Sequence, residues 1–133
     1  MSISLKLDEE GGVDPGELLG GIVLEGENGS RIEESTTFLD TFLLALAQGL
    51  VAVAGGGRES VDIFDEPSPL LFDRVSDKVT IEYKGVSVLF GYDEIAHDLI
   101  GSYQCLTEYI GFSGNVPTYV ELNEAVAFLS KRL

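Results

Sequence analysis

Cys105 and His97 are the two side chains best suited to nucleophilic chemistry, a thiol and an imidazole that could deprotonate it. The sequence holds one of each. Both fall in a stretch whose apolar residues recur at helical spacing, eight positions apart. That spacing means a rise of about 12 Å and an offset of about 80° around the axis. The two cannot reach each other within one helix. The expectation is a half-buried structural cysteine and a solvated histidine.

Glu94-Ile95-Ala96-His97 has the Glu-x-x-His spacing that points two ligands inward in di-iron carboxylate bundles. Such a site needs two fragments of this kind, and one histidine cannot supply them. This pair also lies away from the apolar stripe of its own helix, so it reads as solvated surface. Hard cations want oxygen ligands, which Asp62, Asp65 and Glu66, or Asp8, Glu9, Glu10 and Asp14, could offer. Neither group has the spacing of a calcium loop, and each reads as an acidic turn. Gly55-Gly56-Gly57-Arg58 lacks the Gly-Lys-Ser/Thr of a phosphate loop. Gly20-Gly21 and Gly26-Glu27-Asn28-Gly29 lack the strand–helix frame of a dinucleotide fingerprint. Any two of the 23 acidic residues could converge for glycoside chemistry, and nothing in the order of residues singles out a pair. No catalytic residue, cofactor or metal ligand is expected.

Charge is the informative property. Twenty-three acids against eight bases give a formal net charge of −15, which repels nucleic-acid phosphates and anionic membranes. Residues 1–34 hold nine acids and two bases, and residues 59–98 hold ten and three. The negative charge is therefore concentrated in the N-terminal loops and in the turns of the segment that follows Ser60. A lone cysteine excludes an internal disulfide and fits a reducing cytoplasm. The N-terminal MSISLKLDEE lacks the apolar run of a signal peptide. The longest apolar run, Phe42 to Ala54, is too short to span a bilayer and reads as a buried helix.

The elements that must position these residues centre on Ser60 to Gly91, which reads as a four-strand antiparallel meander. Val79, Ile81 and Tyr83 alternate with Lys78, Thr80 and Glu82, the period of a half-buried strand. Val86, Val88 and Phe90 repeat the pattern after the two-residue turn Lys84-Gly85. Pairing Tyr83 with Val86 sets Ile81 opposite Val88 and Val79 opposite Phe90. A turn at Arg74–Asp77 sets Phe72 opposite Val79 and Leu70 opposite Ile81. The prolines of Asp65-Glu66-Pro67-Ser68-Pro69 break the chain before it, and Val61 with Ile63 supplies the fourth strand.

Ile3, Leu5 and Leu7 predict a first strand, and Ile22-Val23-Leu24 a second. A tight hairpin at Asn28-Gly29 would set Ile32 opposite Glu25, a poor match. Thr37 and Asp40 suggest a capping box opening a largely buried helix that Gly55-Gly56-Gly57 ends. Ile95, Leu99, Tyr103, Leu106 and Ile110 form the stripe of a second helix. Thr118 and Glu121 cap a third. The reading is one α+β domain over residues 1–133. It has an antiparallel sheet made of the meander 60–91 plus one or two N-terminal strands. Three helices, about 36–54, 92–110 and 118–132, lie mainly on one face.

The function expected from these features is that of a small acidic cytoplasmic module that binds or inhibits a basic protein. Immunity proteins that neutralise nucleases, and proteins that mimic nucleic-acid charge, are small and acidic in the same way. The likeness is one of charge and size, with no shared motif. Asp62, Asp65, Glu66, Asp73 and Asp77, at the meander turns, are the candidate partner-binding residues. A second reading is a non-catalytic structural protein whose acidity serves solubility or high salt, pairing with copies of itself through an edge strand such as Ile3–Leu7 or Val61–Phe64. A third is a carboxylate-based enzyme or small-ligand carrier with a cleft between sheet and helices.

Overall fold

The computed structural model describes residues 2–7, 18–64, 66–110 and 117–133. The expected turns at Asp8–Glu10 and Asp14–Gly16, the loop at 111–115 and the candidate Asp65 lie outside the described residues. The chain order is β1 (Ser2–Leu7), β2 (Leu19–Glu25), β3 (Arg31–Phe38), α1 (Leu39–Ala52), β4 (Gly57–Val61), β5 (Leu70–Val75), β6 (Lys78–Tyr83), β7 (Val86–Gly91), α2 (Tyr92–Ile110) and α3 (Pro117–Arg132). The fold is α+β, and all strand pairs are antiparallel.

The meander stands as its own sheet, β4-β5-β6-β7. Lys84 and Gly85 both take positive φ in the β6–β7 turn, as a two-residue hairpin with right-handed twist requires. Ile81 lies opposite Val88 and Val79 opposite Phe90, as the alternation predicts. At the preceding turn the strands continue further. Ser76 takes a positive φ of 57°, the turn contracts to Ser76-Asp77, and Val75 pairs with Lys78. Phe72 therefore faces Ile81 instead of Val79. The displacement is two residues, so no side chain changes face. β4 likewise sits earlier than Val61–Ile63 suggests, and Ile63 is buried just beyond its end.

The N-terminal strands do not extend the meander. They form a separate sheet, β1-β2-β3. The connection from β2 to β3 is a five-residue loop, so Leu24 meets Ile32 and Glu25 meets Arg31, which resolves the mismatch a tight turn would cause. This loop lies along β7, where the Glu27 N–H donates to the Leu89 carbonyl at 2.9 Å. Gly26 makes the approach feasible, since a Cβ there would fall 2.2 Å from a Val88 methyl.

α1 begins at Leu39, one residue later than the Thr37 capping box would place it. Thr37 is a buried residue of β3, and Phe38 occupies the N-cap position without a side-chain cap. A bulge explains the change of face. Ser35 and Thr36 together oppose Gly21, so Glu34 and then Thr37 both turn inward. α1 is buried on most sides, with Leu39, Phe42, Leu43, Leu46 and Leu50 fully enclosed. It is the centre of a core that both sheets share. Its own last turn has no basic residue. The carbonyls there are met from elsewhere: Arg74 donates to Ala54 at 2.6 Å, Arg132 donates to the same oxygen at 3.3 Å, and the Tyr92 hydroxyl donates to Leu50. The Arg74 guanidinium also lies over the Tyr92 ring, 3.7 Å from its centroid. These cations complement the negative end of the helix dipole.

α3 runs parallel to α1, with Tyr119 beside Asp40 at one end and Arg132 beside Ala54 at the other. Its first residue is Pro117, so Thr118 lies within the first turn rather than at the cap. α2 buries Ile95, Leu99, Tyr103 and Leu106 of the expected stripe, and the burial of Ile110 lies outside what is described. The inner face of the meander, Leu70, Phe72, Val79, Ile81, Val88 and Phe90, meets the core. The other face is open, where Arg58, Leu71, Asp73, Thr80, Glu82 and Ser87 line a shallow groove of about 620 Å³. No helix among the described residues is long and apolar enough to cross a membrane.

Candidate functional site

The five candidate carboxylates divide by place. Asp62 and Glu66 lie in the β4–β5 connection, at the end of the meander that also carries the β6–β7 turn. Asp77 sits in the β5–β6 turn at the opposite end, where its carbonyl accepts the Tyr92 N–H at 2.8 Å. The six residues of β6 separate the two ends by about 20 Å. Asp73 lies on the open face between them and is paired with Arg58 at 3.2 Å. Asp65 is outside the described residues. The structure therefore sets Asp62 and Glu66 in one connection at one end of the meander and leaves Asp73 and Asp77 elsewhere.

The first end also gathers residues that sequence order keeps far apart. The Tyr83 hydroxyl donates to Glu34 Oε2 at 2.8 Å and reaches Glu66 Oε2 at 3.4 Å. Thr37 Oγ1 donates to Glu66 Oε1 at 3.0 Å, and Lys84 Nζ donates to Glu34 Oε2 at 2.9 Å. A phenol has one proton, so the shorter contact holds it and Glu66 takes the weaker share. Thr37 and Lys84 supply the donors that let two carboxylates converge on one hydroxyl. This cluster ties β3 of one sheet to β6 and the β4–β5 connection of the other.

Burial, and then the hydrogen bond to Glu34, hold the Tyr83 phenol well above its ordinary value of about 10. Lys84 is likewise held above its ordinary value, first by its hydrogen bond to Glu34. Near neutral pH the cluster thus sets a protonated phenol and an ammonium beside Glu34 and Glu66. Such a phenol is a hydrogen-bond donor and no base. Nothing in the cluster is an activated nucleophile, and the outer carboxylate lone pairs are suited to accept cationic donors.

Next to the cluster stands an aromatic pair. Phe64 is 71% exposed, with its ring 6.5 Å from that of Phe38. Asp62 and Glu66 flank it in the chain. Neither Phe38 nor Phe64 carries a periodic signal, and only tertiary structure shows them adjacent.

The other chemical candidates stay apart. His97 and Cys105 are both exposed on α2. The expectation of a half-buried cysteine is corrected here: position 105 falls off the Ile95–Leu106 stripe by enough to face solvent. Among the described residues, no group of three or more His, Cys, Asp or Glu is placed to hold a metal ion.

Compared with models of known families, with curated proteins and with solved structures, the chain matches none. The functional reading therefore rests on this geometry.

Alkaline pH tests the buried phenols directly. Tyr83 and Tyr119 are both raised, each by burial first and then by carboxylate neighbours, Glu34 for Tyr83 and Asp40 for Tyr119. Unfolded chains release these protons near pH 10, whereas the folded protein keeps them. The stabilisation they give is complete below pH 10 and is lost as pH rises further, by about 1.4 kcal/mol per pH unit for each phenol. Denaturant titrations from pH 9 to 12 should show this decline, and Tyr83→Phe should make it shallower. An unchanged slope in Tyr83→Phe would refute the raised value.

Proposed function

We propose that this is a small, non-catalytic cytoplasmic binding module that docks a basic protein partner. The observation carrying the reading is Phe64, an exposed aromatic backed by Phe38 and set among the carboxylates Asp62, Glu66 and Glu34. An apolar anchor within an acidic rim complements a cationic surface with an apolar centre. Aromatic anchors carry much of the energy at such contacts, while the charges set rate and specificity. The net charge of −15 adds long-range attraction for a basic partner. Asp73 and Asp77 contribute to that field and stand outside the anchor's immediate rim.

The test uses a fluorescent arginine-rich peptide carrying one central aromatic residue. Binding should weaken as salt rises, and Asp62→Lys with Phe64→Ser should weaken it by about tenfold. Asp93→Asn with Glu94→Gln, at the far end of the meander, changes the net charge by the same two units and should change binding by less than about twofold. Equal losses from both pairs would reduce the effect to bulk charge and overturn the site. Absence of binding at low salt would overturn the reading itself.

A further inference from the structure

We propose that β4 is a pairing strand for a second copy of this chain, and that the two copies join their meanders into one eight-stranded antiparallel sheet. Among the described residues β4 is an edge, hydrogen-bonded to β5 alone. Gly57 to Ser60 are all exposed. The opposite edge of the same sheet, β7, is met by the β2–β3 loop through Glu27 and Gly26. β4 has no such cover among the described residues. The Ser60 N–H donates to its neighbour's carboxylate, Glu59 Oε1, at 3.3 Å instead of to β5. An amide satisfied in this way points out of the sheet, where an incoming strand can take it.

Charge selects the occupant and the register. Two copies of one edge strand pair antiparallel about a two-fold axis normal to the sheet, which keeps both open faces on one side. Even-numbered residues then lie opposite even-numbered ones. An axis at Arg58 sets Arg58 against itself, and an axis at Glu59 sets Glu59 against itself. An axis at Ser60 sets Arg58 of each copy opposite Asp62 of the other, and Glu59 opposite Val61. It also makes the Ser60 pair the one that exchanges outward hydrogen bonds. Asp62 follows β4 directly and lies between Val61, packed on the core, and buried Ile63, so its side chain belongs to the face that Arg58 occupies. The Arg58 side chain is 83% exposed and engages Asp73 through Nε, which leaves the donors on the two terminal nitrogens of its fork for a further carboxylate. Opposite charges directly across a strand pair stabilise it, and like charges oppose it.

A pairing of five-residue strands is small, so the expected dimer is weak, with a dissociation constant of about 10 to 100 µM. Sedimentation equilibrium of the full chain, up to about 500 µM and near 0.15 M salt, should show mass rising from the 14.3 kDa monomer toward twice that value. Arg58→Asp, or Asp62→Arg, should each raise the dissociation constant at least about tenfold, because each sets like charges face to face. The exchanged double variant, Arg58→Asp with Asp62→Arg, should restore it. Circular dichroism checks that these exposed substitutions keep the fold. Three results would each overturn the proposal: a monomer throughout, a dimer insensitive to Arg58→Asp, or an exchange that fails to restore affinity. Asp62 is shared with the rim proposed for a basic partner, so Phe64→Ser alone, which lies outside β4 and leaves Arg58 and Asp62 unchanged, tells the two apart: it should weaken peptide binding and leave the dimer unaltered.

Discussion

Phe42→Ala should destabilise the protein by about 4 kcal/mol, more than any single change at the acidic end. Phe42 is completely buried on α1, and its ring meets Tyr83 edge-on, with centroids 5.6 Å apart and planes at 84°. Truncation removes the transfer energy of the ring and leaves a cavity between the central helix and β6. It also removes an aromatic contact of about 1 kcal/mol. A total stability of about 5 to 15 kcal/mol makes this a large fraction. Urea titration gives the measurement: the midpoint should fall sharply while the slope stays constant. Phe42→Leu fills most of the space and should cost about 1.5 kcal/mol.

The same substitution reaches the candidate site. Tyr83 is held between Phe42 on its ring and Glu34 with Glu66 on its hydroxyl. Loss of Phe42 lets water approach the phenol, so Tyr83 in Phe42→Ala should titrate closer to pH 10 than in the parent. A loss below about 1 kcal/mol, with an unmoved phenol titration, would contradict both the packing and its link to the site.

The meander was legible because its strands obey two local rules at once. Alternation sets Val79, Ile81 and Tyr83 on one face, and Lys84-Gly85 has the backbone freedom its turn demands. The Ser76 turn was misplaced by two residues since a serine at positive φ gives little sequence signal, yet period two preserved every face. β3 was not legible. Its inward positions include Glu34 and Thr37, polar residues that read as a helix cap and a dipole partner. Their burial is tolerated through Tyr83 and Glu66, which lie 49 and 29 positions away respectively. Nothing local encodes such a pairing. The candidate site inherits this limit. Its charge was visible as composition, whereas the convergence of Glu34, Glu66 and Phe64 at one end required the two sheets to meet.

Gly49→Ala pits two known effects against each other, and packing should win. In a helix interior alanine is favoured over glycine by about 1 kcal/mol, so a surface glycine would gain stability from the change. Gly49 is buried on the side of α1 that faces β5. A Cβ there would lie 2.0 Å from Phe72 Cε1 and 2.1 Å from Cζ. Phe72 is itself 2% exposed and sits opposite Ile81 and Glu59 in the sheet, so its ring must shift against enclosing neighbours to admit a Cβ. Overpacking of this kind costs about 3 kcal/mol, which leaves a net loss of about 2 kcal/mol. A double-mutant cycle separates this contact from any general intolerance of the helix. Phe72→Leu withdraws the ring at a cost of about 1.5 kcal/mol. In that background Gly49→Ala should become neutral or stabilising, a coupling of about 2 kcal/mol between the positions. Additive losses would mean that the glycine serves something other than the approach of β5. A stabilising Gly49→Ala in the parent would mean that the Phe72 ring can move after all.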